Sequence, residues 1–126
     1  MSKGRIGVDL DGTLAYYDEW RGLEHIGEPI PTMVSKVKEA LRNNEDVTIF
    51  TARVAPPNDA ARARSIIERW CEKHIGQRLP VTCVKDFTFK EIWDDRCRQV
   101  YPNTGVFVEE ALSGKVNFSI DQSATD

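Results

Sequence analysis

The chain has 126 residues, of which 40% are hydrophobic and 29% are charged, and this balance is typical of a globular domain with its own core. The formal net charge of -3 excludes an overall electrostatic attraction to nucleic acid or to an anionic membrane. The sequence contains neither an apolar run long enough to span a bilayer nor the apolar core of a signal peptide. We therefore expect a cytoplasmic protein with no membrane partner.

The most informative stretch lies at residues 5–14, where a short apolar run ends in Asp9 and Asp11. The run predicts a strand, and Asp11-Gly12 predicts the turn that closes it. Residues two apart in a strand point the same way, so both carboxylates can serve one site, and their repulsion favours a bound cation. A simple turn is the ordinary interpretation of Asp-Gly. An EF-hand loop is excluded, because its required Gly and Glu positions hold other residues.

The rest of the chain predicts alternating helices and strands. Residues 15–30 combine aromatic side chains with glycines and prolines and show no period, which indicates either a flap over the site or an ordinary surface loop. The elements that follow are a helix from Pro31 to Asn43-Asn44, a strand over 47–51, a helix from Asn58 or Asp59 to Gly76, strands over 80–84 and 91–95, a weaker strand signal over 99–101 and a short helix over 105–112.

This alternation predicts a three-layer, Rossmann-like α/β fold with a mostly parallel sheet. We expect one catalytic domain over residues 1–112 and a C-terminal tail without a recognisable pattern over residues 113–126. In such a sheet the functional site lies beyond the carboxyl ends of the strands. The polar residues predicted at that edge are Asp9, Asp11, Thr51, Lys85, Asp94 and Asp95.

Four carboxylates against one lysine at this edge indicate a bound cation. Oxygen ligands with open positions for water and phosphate suit Mg²⁺, and zinc is disfavoured because these residues include no Cys or His. Asp94-Asp95 alone is equally well interpreted as a turn with surface charges. Its expected place beside Asp9 and Asp11 favours a metal shell, and leaves open which of Asp94 and Asp95 is the direct ligand.

The string Val8-Asp9-Leu10-Asp11-Gly12-Thr13-Leu14 resembles the first motif of the haloacid dehalogenase (HAD) superfamily, written D-x-D-G-T-L. The resemblance covers residues 5–105 and implies a HAD-like fold with Mg²⁺-dependent phosphatase activity. It implies that Asp9 is the nucleophile, which takes the phosphoryl group as an aspartyl-phosphate. It also implies that Asp11 is the general acid and base and faces the metal through its backbone carbonyl.

The later motifs of the superfamily are matched in order. Thr51 resembles the second-motif residue whose hydroxyl holds a phosphate oxygen, and Asp94 and Asp95 resemble the acidic fourth motif. Lys85 resembles the third-motif lysine; Lys90 is its rival, and we prefer Lys85 because it closes a predicted strand. The residues expected to contact substrate are Gly12, Thr51, Ala52, Arg53 and Lys85.

The resemblance is closest to small capless members, since residues 15–30 and 52–58 are too few for a separate cap domain. A capless site suits a nucleic-acid end or a phosphoprotein, or a small phosphorylated molecule that a neighbouring subunit of a homo-oligomer encloses. We favour a small-molecule phosphate monoester, because the acidic balance disfavours nucleic acid. The alternatives are a phosphotransferase or nucleic-acid-end phosphatase, and a catalytically silent binding domain, which the intact Asp9 and Asp11 disfavour.

Overall fold

The computed structural model describes residues 3–113, whose elements alternate as the sequence predicts. They are β1 (Arg5–Val8), α1 (Pro31–Arg42), β2 (Asp46–Phe50), a 3₁₀ turn (Ala52–Val54), α2 (Ala60–His74), β3 (Val81–Thr82), β4 (Phe89–Trp93) and α3 (Val108–Leu112). The four strands form an all-parallel sheet in the order β3-β2-β1-β4. The predicted class is confirmed: this is an α/β fold with a parallel sheet flanked by helices, compatible with a three-layer Rossmann-like arrangement. No helix of the described part is long and apolar enough to cross a membrane.

The main hydrophobic core lies between one face of the sheet and the first two helices. Alternate strand residues point to this face, and the helices supply apolar side chains three or four positions apart. The core joins Ile6, Val8, Val47 and Ile49 of the sheet to Val34, Val37 and Ala40 of α1 and to Ala63, Ile67 and Trp70 of α2. Each large apolar side chain buried here contributes about 1.5–3 kcal/mol to folding. The core therefore fixes the strand ends relative to one another.

The opposite face of the sheet is crossed by the connection from β3 to β4, which lie at the two edges of the sheet. Gly7 makes room for the ring of Phe89, the first residue of β4, since a Cβ there would lie 2.8 Å from that ring. Arg5 fastens the connection by donating to the Thr88 hydroxyl at 2.8 Å and by pairing with Asp86 at 3.0 Å. This crossing carries the chain back to the amino edge of the sheet, where β4 begins.

Three predicted strands differ clearly from the observed ones, and the helix predicted over 105–112 is observed only as α3. The strand predicted over 80–84 is only β3, because the Thr82 hydroxyl accepts a hydrogen bond from the Val84 N–H and turns the chain out of the sheet. The strand predicted over 91–95 begins at Phe89 and ends at Trp93. The strand predicted over 99–101 is wrong, since the chain makes only an isolated bridge there, from Val100 to Phe107.

The chain divides after Asp95 into two compact units, Met1–Asp95 and Arg96–Asp126. The first unit contains the whole sheet, and the second contains α3. Within the second unit, the Arg98 guanidinium lies 3.5 Å from the centre of the Phe107 ring. The predicted single domain over residues 1–112 stays a prediction. The predicted tail lies outside the described residues from position 114 onward.

Candidate active site

The carboxyl edge of the sheet brings together residues that are far apart in the sequence. β1, β2 and β4 are followed there by Asp9, Thr51 and Asp94. The Asp9 N–H donates to the carbonyl of Trp93 at 2.9 Å, and the Thr51 N–H donates to the carbonyl of Thr82 at 2.9 Å. The backbone ladder thus continues past the strand ends and fixes where these side chains start.

Three carboxylates form a cluster at this edge, which we call the acidic trio: Asp9, Asp94 and Asp95. Each offers an oxygen that lies within 4.8 Å of an oxygen of the other two. Burial, the negative charge of Asp94 and a hydrogen bond with Asp95 raise the pKa of Asp9 to about 7. Three carboxylate oxygens clustered this closely are a donor set that fits a hard divalent cation such as Mg²⁺.

The turn after β1 is packed directly against Asp95. The buried Thr13 hydroxyl donates to Asp95 Oδ1 at 2.9 Å and accepts the Asp95 N–H at 2.9 Å. Gly12 has a φ of +93°, and a Cβ on it would lie 2.7 Å from Asp95 Oδ2. The Asp-Gly-Thr sequence therefore shapes and orients one member of the acidic trio. The motif alone did not reveal this role of Thr13, although its position directly after Asp11-Gly12 was a signal.

Asp11 does not belong to the acidic trio, because its carboxylate is paired with Arg53. Arg53 Nε donates to Asp11 Oδ2 at 2.7 Å, and Arg53 Nη2 donates to Asp11 Oδ1 at 2.8 Å. The Arg53 side chain is only 6% exposed. The buried Thr51 hydroxyl accepts the Arg53 N–H at 3.2 Å, which starts the 3₁₀ turn and directs Arg53 inward, whereas Ala52 remains exposed.

Residues 16–28, which we call the flap, fold back over the Asp11–Arg53 pair. The Tyr16 N–H donates to the carbonyl of Glu28 at 2.8 Å and closes the base of the flap. Arg53 donates to the flap carbonyls of His25 at 3.0 Å and Leu23 at 3.4 Å. Of the two interpretations left open by the sequence, the geometry corresponds to a flap.

A cavity of about 210 Å³ lies between the flap and the Asp11–Arg53 pair. Its walls are Asp11 and Arg53 on one side and flap residues between Tyr16 and Glu28 on the other. The Trp20 ring lies over the Arg53 guanidinium, 4.9 Å from its carbon to the ring centre. The candidate site thus has two neighbouring parts, the acidic trio and a small cavity, with Asp11 bordering the cavity.

The two candidate lysines lie in different places. Lys90 is the second residue of β4 and pairs with Glu45, which directly precedes β2, so it lies at the amino edge of the sheet and not at the acidic trio. Lys85 is exposed and lies in the connection after β3. Among the described residues no ion pair joins Lys85 to the acidic trio. The role of Lys85 therefore stays a prediction.

No protein-family model matches the chain, and no curated protein sequence matches it. Among solved structures, it is similar to a conserved protein coded by a locus from Bacteroides thetaiotaomicron. The two share 21% sequence identity with a TM-score of 0.52, over 90% of this chain and 93% of the other. This likeness supports the fold, and carries no conclusion about activity.

Proposed function

We propose that the protein is a Mg²⁺-dependent phosphohydrolase of the HAD-like type, which cleaves a phosphate monoester through an aspartyl-phosphate on Asp9. The observation that carries this proposal is the acidic trio at the carboxyl edge of the sheet, next to the partly buried Asp11–Arg53 pair. Burial, the charge of Asp94 and the hydrogen bond with Asp95 raise the pKa of Asp9, so keeping all three carboxylates ionised in this place is costly. A catalytic cation is a physical reason for a fold to maintain the acidic trio.

Asp9, Asp94 and Asp95 are the side chains that would hold Mg²⁺. When bound, Mg²⁺ neutralises the charge on the carboxylates and on the incoming phosphate and so allows one anion to approach another. Thr13 keeps Asp95 in place through the paired hydrogen bonds to its carboxylate and its N–H. Partners of this kind around a metal ligand typically affect metal affinity about 10–100-fold.

The reaction proceeds in two transfers. In the first, an Asp9 carboxylate oxygen forms a bond to phosphorus while the bond from phosphorus to the ester oxygen breaks, and Asp11, which must be protonated in the complex with substrate, gives that oxygen its proton. In the second, Asp11 takes a proton from water, whose oxygen bonds to phosphorus and releases inorganic phosphate from Asp9. Thr51 and Lys85 are proposed to hold the phosphate oxygens, and Arg53 holds Asp11 at the mouth of the cavity.

A metal-dependence assay tests this function. The purified protein should hydrolyse p-nitrophenyl phosphate, lose that activity in EDTA and regain it with Mg²⁺. Asp94→Asn and Asp95→Asn should each require more Mg²⁺ for half-maximal rate, by roughly 10-fold or more. Asp59→Asn is the matched control, since the Asp59 side chain makes no capping hydrogen bond at α2 and belongs neither to the acidic trio nor to the cavity walls. Full turnover in metal-free buffer would contradict the proposal.

A further inference from the structure

The cavity beside Asp11 lies where the leaving group of the substrate, the alcohol released from the phosphate, would lie. Asp11 borders it directly, whereas Asp9, Asp94 and Asp95 do not line it. If Asp11 protonates the ester oxygen, as the proposed function requires, the group attached to that oxygen lies on the Asp11 side of the phosphate. The cavity is on that side. The inference below rests on the proposed function and concerns the leaving group alone.

The far wall of the cavity is fastened to the body of the first unit. The Trp70 Nε1–H donates to the carbonyl of Gly27 at 3.2 Å, and Glu24 pairs with Arg62 of α2. A Cβ on Gly27 would lie 1.9 Å from the Tyr16 carbonyl oxygen, so the two sides of the flap touch through backbone. These anchors fix the wall, and 210 Å³ is smaller than the roughly 300 Å³ at which pockets for drug-sized ligands begin. The cavity therefore suits a small leaving group.

The charges of the cavity walls oppose an anionic leaving group. The acidic side chains in the walls are those of Asp11, Asp18, Glu19 and Glu28, and the basic ones are the guanidiniums of Arg21 and Arg53 and the imidazole of His25. Both guanidiniums are already ion-paired. Arg53 pairs with Asp11, and Arg21 pairs with Asp18 at 2.8 Å and with Glu19 at 3.5 Å. Neither is therefore left to attract an anionic leaving group.

Glu28 is the remaining wall carboxylate. In residues 3–113 no cationic side chain lies within ion-pair distance of it. Two tyrosine rings, Tyr16 and Tyr17, line the same cavity and are 62% and 44% exposed. A carboxylate next to aromatic rings attracts an ammonium group through ordinary charge attraction and through the negative faces of the rings.

We infer that the cavity binds the leaving group of the substrate, and that this group is a small alcohol carrying an ammonium. The substrate class is then the phosphate monoester of a small amino alcohol. The ammonium lies against Glu28 and the tyrosine rings, while the ester oxygen lies next to Asp11. The contact adds a specificity determinant on the flap to the phosphate-binding groups at the sheet edge.

Three esters of nearly equal size test this specificity: phosphoethanolamine, 2-hydroxyethyl phosphate and 2-phosphoglycolate. They end in an ammonium, a hydroxyl and a carboxylate, so they differ mainly in the charge that enters the cavity. With Mg²⁺ present, kcat/KM should fall in that order, with roughly a tenfold preference for the ammonium over the hydroxyl from an exposed charge pair and a ring contact together. Equal values, or a preference for the carboxylate, would overturn the inference.

A charge-removing variant tests the residue assignment. Glu28→Gln should reduce the ratio of kcat/KM for phosphoethanolamine to that for 2-phosphoglycolate by roughly 3-fold or more. Glu39→Gln on exposed α1 surface changes the net charge equally and should leave the ratio unchanged. An unchanged ratio in Glu28→Gln would overturn the assignment even if its overall rate fell.

The same assays separate this inference from the proposed function. Hydrolysis of p-nitrophenyl phosphate without a preference among the three esters leaves the phosphohydrolase proposal standing and defeats the leaving-group inference. Absence of turnover with p-nitrophenyl phosphate and with all three esters defeats both.

Discussion

Arg53 holds the carboxylate of Asp11 with two hydrogen bonds, from Nε at 2.7 Å and from Nη2 at 2.8 Å. The pair connects the turn after β1 to the turn after β2, and its guanidinium also holds the flap through the carbonyls of Leu23 and His25. One side chain therefore fixes the proposed acid, the end of the second strand and the wall of the cavity.

Arg53→Ala should destabilise the fold as well as impair turnover. The substitution leaves a partly buried carboxylate without its cation and releases the flap, so the free energy of unfolding should fall by about 2–3 kcal/mol. Arg53→Lys keeps the positive charge but cannot make both hydrogen bonds to Asp11. Its loss in free energy of unfolding should therefore lie between zero and that of Arg53→Ala. Arg21→Ala, which breaks only the exposed pairs with Asp18 and Glu19, should cost less than about 1 kcal/mol. Urea denaturation measures all three, and equal losses for Arg53→Ala and Arg21→Ala would contradict this account of the pair.

Two glycines with the same backbone conformation provide a matched test of the acidic trio. Gly12 and Gly22 both have a φ of +93°, but only a Cβ on Gly12 meets another group, Asp95 Oδ2 at 2.7 Å. Alanine at either position should cost about 1–2 kcal/mol in backbone strain. Only Gly12→Ala should also displace Asp95, so Mg²⁺ activation should require a higher metal concentration in that variant alone. The same Mg²⁺ dependence in both variants would show that Gly12 has no role in shaping the trio.

Much of the fold could be predicted because it depends on short-range patterns. Helix α1 begins at Pro31, as its missing N–H and fixed φ favour, and ends before Asn43, with Asn44 at a φ of +61°. Strands β1 and β2 are recognisable in the sequence because the side chains on their buried face are apolar and pack against two helices. The early end of β3 was not predictable in this way, since it depends on a local hydrogen bond from the Val84 N–H to the Thr82 hydroxyl.

The site could be predicted only in part. Parallel strands meet at one edge, so the approach of Asp9, Asp94 and Asp95 followed from their positions after strands. The pairing of Asp11 with Arg53 joins residues 42 positions apart. A sequence offers several arginines for one aspartate, and nothing in the spacing selects among them. The flap carbonyls that surround Arg53 are backbone groups, which leave no signature in residue identity.

Variants of Lys85 and Lys90 distinguish a role in phosphate binding from a role in stabilising the sheet. Lys85→Ala should slow turnover of p-nitrophenyl phosphate by ~100-fold or more, as loss of a preorganised charge contact typically does. Lys90→Ala removes the pair with Glu45 at the other edge of the sheet and should leave turnover within a few-fold of the wild type. If Lys90→Ala is the inactive variant, the assignment of the phosphate-binding lysine is wrong.

The pKa of Asp9 predicts how metal-free stability changes with pH. Its ordinary value is 3.8, and the folded value is about 7, so between these values the folded protein holds a proton that the unfolded chain has released. The contribution of Asp9 to stability is therefore greatest below about pH 4 and is lost as the pH rises through about 7. Asp9→Asn removes this dependence and should gain stability relative to the wild type across that range.

Urea denaturation of the two proteins in EDTA, at several pH values across that interval, measures the difference. Subtracting the two curves removes the titration of the other carboxylates, such as Asp18 and Asp86, whose pKa values are lowered by their hydrogen bonds. A difference that does not change with pH would contradict the raised pKa of Asp9, which burial and the neighbouring carboxylates cause. Mg²⁺ at neutral pH should stabilise the wild type more than Asp9→Asn, because the cation then replaces the missing proton.

The most direct test of the central claim is to trap the phosphoryl group on the protein. Asp11→Asn, incubated with Mg²⁺ and p-nitrophenyl phosphate, should still be phosphorylated, because this leaving group needs little protonation. Hydrolysis of the phosphoenzyme should then be slowed, since general base assistance is typically worth ~10²–10⁴-fold. Mass spectrometry of rapidly quenched Asp11→Asn should find the phosphoryl group on the peptide that contains Asp9 and find none in Asp9→Asn. A phosphoryl group in Asp9→Asn or on another residue, or normal turnover of Asp11→Asn without any adduct, would contradict the mechanism.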